Sequence, residues 1–253
     1  MAIVAGHTMA ACNTRLHDNR GKVPMSLKNI VLVHGAWGDG SHWRHVIPLL
    51  DAKGYQVTAV QNPLTSLVDD VDRTSRLVVA QDGPTLLVGH SYGGAVITGA
   101  GHVPNAAGLV YIAAFAPDEG DSLGSIFGRR EPPPGAANIR PDKDGFLWIL
   151  RDKFRESFCQ DVEETDALVM AAAQKPIAGR CFKDKSGPPA WKNKPSWYQV
   201  SADDRMIPPE TEQWMAERIK PRKAISLPAS HASLASHADA VSALIDEAAR
   251  ALG

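Results

Sequence analysis

Cysteine is scarce in this chain, with three in 253 residues, and Cys12, Cys159 and Cys181 form no Cys-x-x-Cys pair. That excludes a disulfide-stapled secreted scaffold and a thiolate metal site. The three read as reduced thiols, which points to a cytoplasmic protein. Net charge is nearly absent: 27 Lys and Arg against 28 Asp and Glu leave −1. Nothing therefore pulls the chain towards nucleic acid or an anionic membrane, and neither partner is expected. Weak charge also permits self-association, so a homodimer stays open. No apolar run approaches the ~20 residues that span a bilayer, and no internal repeat is visible. Residues 1–26 lack the basic start of a secretory signal and turn polar from Asn13 to Lys22. They read as a loose N-terminal extension, with Met25 the more natural beginning.

What is present is a large apolar fraction, 44% of residues, enough for a sizeable core, in a strand-helix rhythm from about residue 29 to the end. Ile30-Val31-Leu32-Val33 is a continuous β-branched run, as in a strand covered on both faces. Ser41 is placed to cap the next helix, flawed by Pro48 and stopped by Gly54. Further strands are expected at residues 55–60, 85–88, 108–114, 197–200 and 224–227. Helices are expected at about 66–82, 91–102, 210–218 and 236–252, with capping-box patterns at Ser66 and Ser236. The alternation predicts an α/β fold, a mostly parallel sheet flanked by helices, with ligands beyond the carboxyl ends of the strands. Between about residues 118 and 195 the strand rhythm disappears. Pro132-Pro133-Pro134-Gly135 and two amphipathic stretches, 146–158 and 162–173, stand there. A structureless loop of that length is implausible, so an inserted helical cap is expected within one domain covering 27–253.

Gly89-His90-Ser91-Tyr92-Gly93-Gly94 follows the run Thr85-Leu86-Leu87-Val88 and precedes Ala95-Val96-Ile97. Strand, sharp turn and helix start around a central serine make a nucleophile elbow, which holds the hydroxyl clear of the sheet at the positive end of a helix. Serine is a weak nucleophile without a base, and the base needs an acid to fix its tautomer. His231, in the loop after the last strand, is the candidate base. His237 competes but falls inside the apparent capping box of the final helix. Asp204 is the candidate acid, three residues before Ile207-Pro208. Asp203 beside it stays open as an alternative, and Asp118 is a more distant one. The oxyanion hole is expected from the backbone N–H groups of Tyr92, after the nucleophile, and Ala36, in the loop His34-Gly35-Ala36-Trp37-Gly38, with Trp37 the alternative to Ala36. Trp37, Trp148 and Trp191 are candidates to line an apolar substrate pocket, with Phe146 and Phe154 also in the cap.

Together these residues resemble the α/β-hydrolase superfamily, and more narrowly its small cofactor-free branch of carboxylesterases, methyl esterases and hydroxynitrile lyases. The resemblance covers residues 29–252. It implies that Ser91, Asp204 and His231 form a catalytic triad acting without cofactor or metal on a small ester, or on a related thioester, lactone or activated amide, through an acyl-enzyme. A hydroxynitrile lyase is one alternative and a ligand-binding receptor on the same fold another. The lyases carry a lysine after the histidine, a threonine at the position of Gly35 and an acidic residue before the nucleophile. Here Ala232, Gly35 and His90 stand in those places, which favours hydrolysis.

Overall fold

The apolar run at Ile30 alternates its burial between two cores. Ile30 and Leu32 pack with Leu86, Val88, Val110, Ile112 and Trp197 on one face of the sheet. Val31 and Val33 pack with Leu87, Leu109, Tyr111 and Tyr198 on the other. A strand with water on one face needs only every second residue apolar, and these strands have none. The computed structural model describes residues 27–253; the expected extension at 1–26 and Cys12 lie outside them.

The main sheet has six strands: β1 (Asn29–Val33), β2 (Gln56–Ala59), β3 (Thr85–His90), β4 (Ala106–Ile112), β8 (Ser196–Ser201) and β9 (Lys223–Leu227). Their spatial order is β2-β1-β3-β4-β8-β9, and every pairing is parallel. The crossovers are α1 (Val46–Asp51), α2 (Leu67–Val79), α3 (Tyr92–Ala100) and α7 (Pro209–Ile219); α8 (Ser233–Ser236) and α9 (Ala238–Arg250) follow β9. The chain order reverses between β1 and β3, and the carboxyl ends of those two strands open the crevice where α/β sheets bind ligands.

Two helix starts differ from the expected capping. Asp39, not Ser41, caps a 3-10 turn at Gly40–Trp43 by accepting the Ser41 N–H at 2.7 Å, and α1 begins only at Val46. Ser236 ends α8, and its hydroxyl bonds His237 Nδ1 at 2.9 Å, so α9 starts at Ala238 without a side-chain cap. Ser66 caps α2 as expected, accepting the Asp69 N–H at 3.1 Å.

Residues 113–195 connect the top of β4 to the bottom of its parallel neighbour β8, so the cap is the enlarged crossover between them. It contains α4 (Leu123–Phe127), α5 (Phe154–Phe158) and α6 (Glu164–Ala173). It also holds a small antiparallel sheet of β5 (Ile139–Pro141), β6 (Phe146–Ile149) and β7 (Ile177–Ala178), which the amphipathic reading of 146–158 did not resolve. The hairpin is set by Asp142, whose Oδ1 accepts the N–H groups of Asp144 and Phe146. Gly145 supplies the positive φ of 83° that the turn needs. Cys159 and Cys181 are buried and unbridged.

Candidate active site

β3 delivers Ser91 to the top of the sheet in a backbone conformation, φ 55° and ψ −124°, that is costly for a residue with a side chain. The turn is held from three directions: Ser91 N–H donates to Ile112 O, and Phe115 and Gly94 donate to Ser91 O. Its tightness depends on glycine, since a Cβ at Gly89 would sit 2.5 Å from Gly93 O. Ser91 directly precedes the first residue of α3, at the positive end of that helix, and its side chain makes no cap hydrogen bond there.

His231 and Asp204 reach this serine from two other strand ends. Ser91 Oγ lies 2.8 Å from His231 Nε2, and His231 Nδ1 lies 2.6 Å from Asp204 Oδ2. A carboxylate only accepts, so the proton of the neutral ring sits on Nδ1, and Nε2 is left free to take the serine proton. The other carboxylate oxygen, Oδ1, accepts the backbone N–H groups of Met206 and Ile207 at 2.6 and 2.9 Å. The turn that leads into Ile207-Pro208 therefore fixes the Asp204 carboxylate with its own amides. The imidazole is wholly buried, edge-on to Phe158 at 4.9 Å and tilted against His90 at 4.8 Å. His90 Nε2–H donates to His231 O at 2.8 Å, which ties the histidine loop to the residue before Ser91.

The two oxyanion candidates face the same space. Ala36 and Tyr92 line one cavity with Ser91, and among the described residues neither backbone N–H is taken by a side chain or turn. The loop carrying Ala36 is held by His34. Asn62 N–H donates to His34 Nε2 at 3.0 Å, so His34 Nδ1–H donates to Gly35 O at 2.9 Å. Burial pushes His34 down to about 4, which keeps the ring neutral for that arrangement. Beneath, Asp70 holds Tyr92 from its hydroxyl side at 2.6 Å and also accepts the Leu64 N–H. Its own burial raises Asp70 to about 6.

The cavity measures about 350 Å³, near the lower end of the range for small-molecule sites. Its walls are Trp37, Phe115, Leu123, Phe127, Phe182 and Met206, with Arg130 the one charged side chain. Of the three tryptophans, Trp37 lines this cavity. It has φ 58°, and its indole N–H donates to Leu147 O of β6 at 2.9 Å, joining the loop after β1 to the cap. Trp148 and Trp191 are not brought in. Trp148 is half-exposed, and its indole N–H donates to Asp142 Oδ2 in the cap hairpin. Trp191 donates to Pro117 O and lies under the Arg218 guanidinium, a packing role at the base of the cap. Phe154 is buried against Phe158, whereas Phe146 is half-buried in β6. Asp203 is exposed beside Asp204 and Asp118 pairs with Lys192; neither meets His231. His237 contacts Ser236 and lies 3.8 Å from Asp161, away from the serine. The phenylalanine lining was missed because positions 115, 127 and 182 are brought together only by the folded cap.

A model of the alpha/beta hydrolase family matches residues 30–244. The chain belongs to that family. Among its relatives is a pyrethroid hydrolase of Sphingobium wenxiniae, 28% identical over 243 residues and 82% of each chain. Another is a carbendazim hydrolyzing esterase of a Nocardioides species, 33% identical over 127 residues, covering 45% of this chain and 52% of the other. A crystal structure of a pyrethroid hydrolase superposes with a TM-score of 0.77 at 25% identity, covering 88% of this chain and 98% of that one. The match spans β1 to α9, so the elbow, the acid loop and the histidine loop all fall within the family's own frame.

Proposed function

We propose that this hydrolase cleaves small, uncharged carboxylic esters by two-step acyl transfer, with Ser91 as nucleophile, His231 as base and Asp204 as its orienting acid. The observation that carries this is the unbroken chain from Asp204 through His231 to Ser91 Oγ, opening into an apolar cavity of about 350 Å³. His231 Nε2 takes the hydroxyl proton as Oγ attacks the ester carbonyl. The developing oxyanion lies against the N–H groups of Ala36 and Tyr92. Collapse expels the alcohol, which takes the proton from His231, and an acyl-enzyme is left. Water then enters, gives its proton to His231 and attacks the acyl carbon. The acid departs as the proton returns to Ser91 Oγ. Every step uses groups of this chain, with no metal or organic cofactor.

The apolar wall supports an aromatic or compact aliphatic substrate, since a charged group set against these side chains loses hydration that Arg130 alone among the lining residues could offset, and only for an anion. The names of the relatives, a pyrethroid hydrolase and a carbendazim hydrolyzing esterase, support ester cleavage. Gly35 weighs against the lyase reading: a Cβ in its place would stand 2.6 Å from Ser91 Cβ, so a threonine does not fit this elbow. A series of p-nitrophenyl esters with wild type and Ser91→Ala, run beside mandelonitrile, tests the proposal. Short and aromatic esters are turned over, and turnover is lost in the variant. Activity surviving in purified Ser91→Ala, or cyanohydrin cleavage without ester cleavage, overturns it.

A further inference from the structure

Glu212 is a carboxyl group where a charge is hard to keep. It stands in the first turns of α7, wholly buried. Its Oε2 accepts the Ser201 N–H at 2.9 Å, which anchors it to the end of β8. Its head lies within hydrogen-bonding reach of the Asp204 carboxyl, yet Oε1 faces no donor. The groups around it are Asp204 and Ser201 from the acid loop and strand end, and Tyr198 from β8, whose hydroxyl is committed to Ala114 O. Beyond Asp204 lies His231. Among the described residues no cation offsets its charge.

Two ionised carboxylates are both acceptors and repel each other, most strongly where water is excluded. A proton on Glu212 removes the repulsion and turns the orphaned oxygen into a donor. We propose that Glu212 is a positioning residue held as the neutral acid, its O–H donating to Asp204 so that this carboxylate stays aligned with His231 during hydrolysis. Burial and the charge of Asp204 push Glu212 well above the usual carboxylate range, in the same sense as the geometry. The Met206 and Ile207 amides hold Asp204 from its own loop, and Glu212 adds a restraint from α7. A glutamine in its place keeps one acceptor for Ser201 and one donor for Asp204, whereas a leucine keeps neither.

The proton and the kinetic role are tested separately, because the kinetic arm rests on the hydrolytic reading and the proton does not. Infrared difference spectra of wild type against Glu212→Gln at about pH 8 need no substrate. The expected result is the carbonyl band of a protonated carboxylic acid in wild type and its loss in the variant; Asp70, raised only to about 6, is ionised there. No such band overturns the proposal whatever the enzyme hydrolyses. With the fastest p-nitrophenyl ester, Glu212→Gln keeps kcat within about threefold and leaves the acid limb of the pH profile in place. Glu212→Leu lowers kcat by about 10- to 100-fold with little change in KM, as misalignment of a reacting group does. A leucine variant as fast as wild type, or a glutamine variant as slow as the leucine one, overturns the positioning role. Should the leucine variant fail to fold, the band and the glutamine profile still decide.

Discussion

His42 makes the acid stability of this protein calculable. The ring is buried, its Nδ1 has no partner, and it stands edge-on to Phe158 at 5.9 Å and packs over the position of Gly38. Burial, reinforced by the neighbouring His34, pushes His42 down to about 3. The unfolded chain takes up a proton near pH 6.5 and the folded one does not. The stability linked to this group is therefore complete above about 6.5 and is lost as pH falls towards 3. At about pH 5 the loss is 1.5 pH units at about 1.4 kcal/mol each, or about 2 kcal/mol. His34 and His90 are lowered in the same direction, whereas Asp70 and Glu212 are raised and act oppositely. Comparison of wild type with His42→Gln cancels all four. Urea unfolding followed by tryptophan fluorescence at about pH 7.5 and about pH 5 gives the two differences. Wild type is expected to lose about 2 kcal/mol more than the variant between the two conditions, whatever the substitution costs at neutral pH. A difference within about 0.5 kcal/mol, no larger than the usual scatter between independent sites, refutes the reasoning.

Asp204→Asn should lower kcat on a p-nitrophenyl ester by about 10³- to 10⁴-fold, because the amide favours the wrong tautomer of His231. Asp203→Asn, changed at an exposed side chain, should stay within about twofold, and the reverse ranking would exchange their roles. Gly35→Ala places a methyl 2.6 Å from Ser91 Cβ. It should cost about 10²-fold in kcat/KM while circular dichroism stays native, and an active variant would show that the loop yields. Trp37→Phe leaves Leu147 O without its donor, at a cost of about 1–3 kcal/mol. Thermal melting should show this, together with a raised KM and faster proteolysis of the β5–β6 hairpin; unchanged melting and KM would rule out the tie between loop and cap.

The parts legible in the sequence are those whose causes are local or strongly periodic. Thr85-Leu86-Leu87-Val88 reads as a buried strand because no alternation is needed with cover on both faces, and the glycines after it mark a turn that tolerates no Cβ. Asp204 stands out in the sequence by its spacing from Ile207-Pro208, and the amides of Met206 and Ile207 supply the reason for that spacing. The three strands of the cap were hidden because β7 has two residues and β5 three, too short for any period. Their pairing depends on the Asp142–Gly145 turn and on distant bonds such as Ala178 N–H to Leu64 O. Trp148 and Trp191 show that an aromatic side chain announces burial of area but not which cavity it faces. Glu212 was invisible for a different reason: an acidic residue near a helix start ordinarily suits the helix dipole from the surface.

The route of the cap through the sheet bears on how such a molecule can be remodelled. Residues 113–195 do more than cover the cavity: they are the wire that carries the chain from the finish of β4 back to the start of β8. A lid attached at a narrow neck could be cut away and the ends rejoined. Here the two ends open at opposite edges of the same layer, about 20 Å apart for strands of six or seven residues. Any trimmed descendant must keep a crossover of a dozen or more residues between them. Exchange of whole caps between relatives is thus a swap of crossovers, and it can change what enters the cavity while the strand order stays as it is.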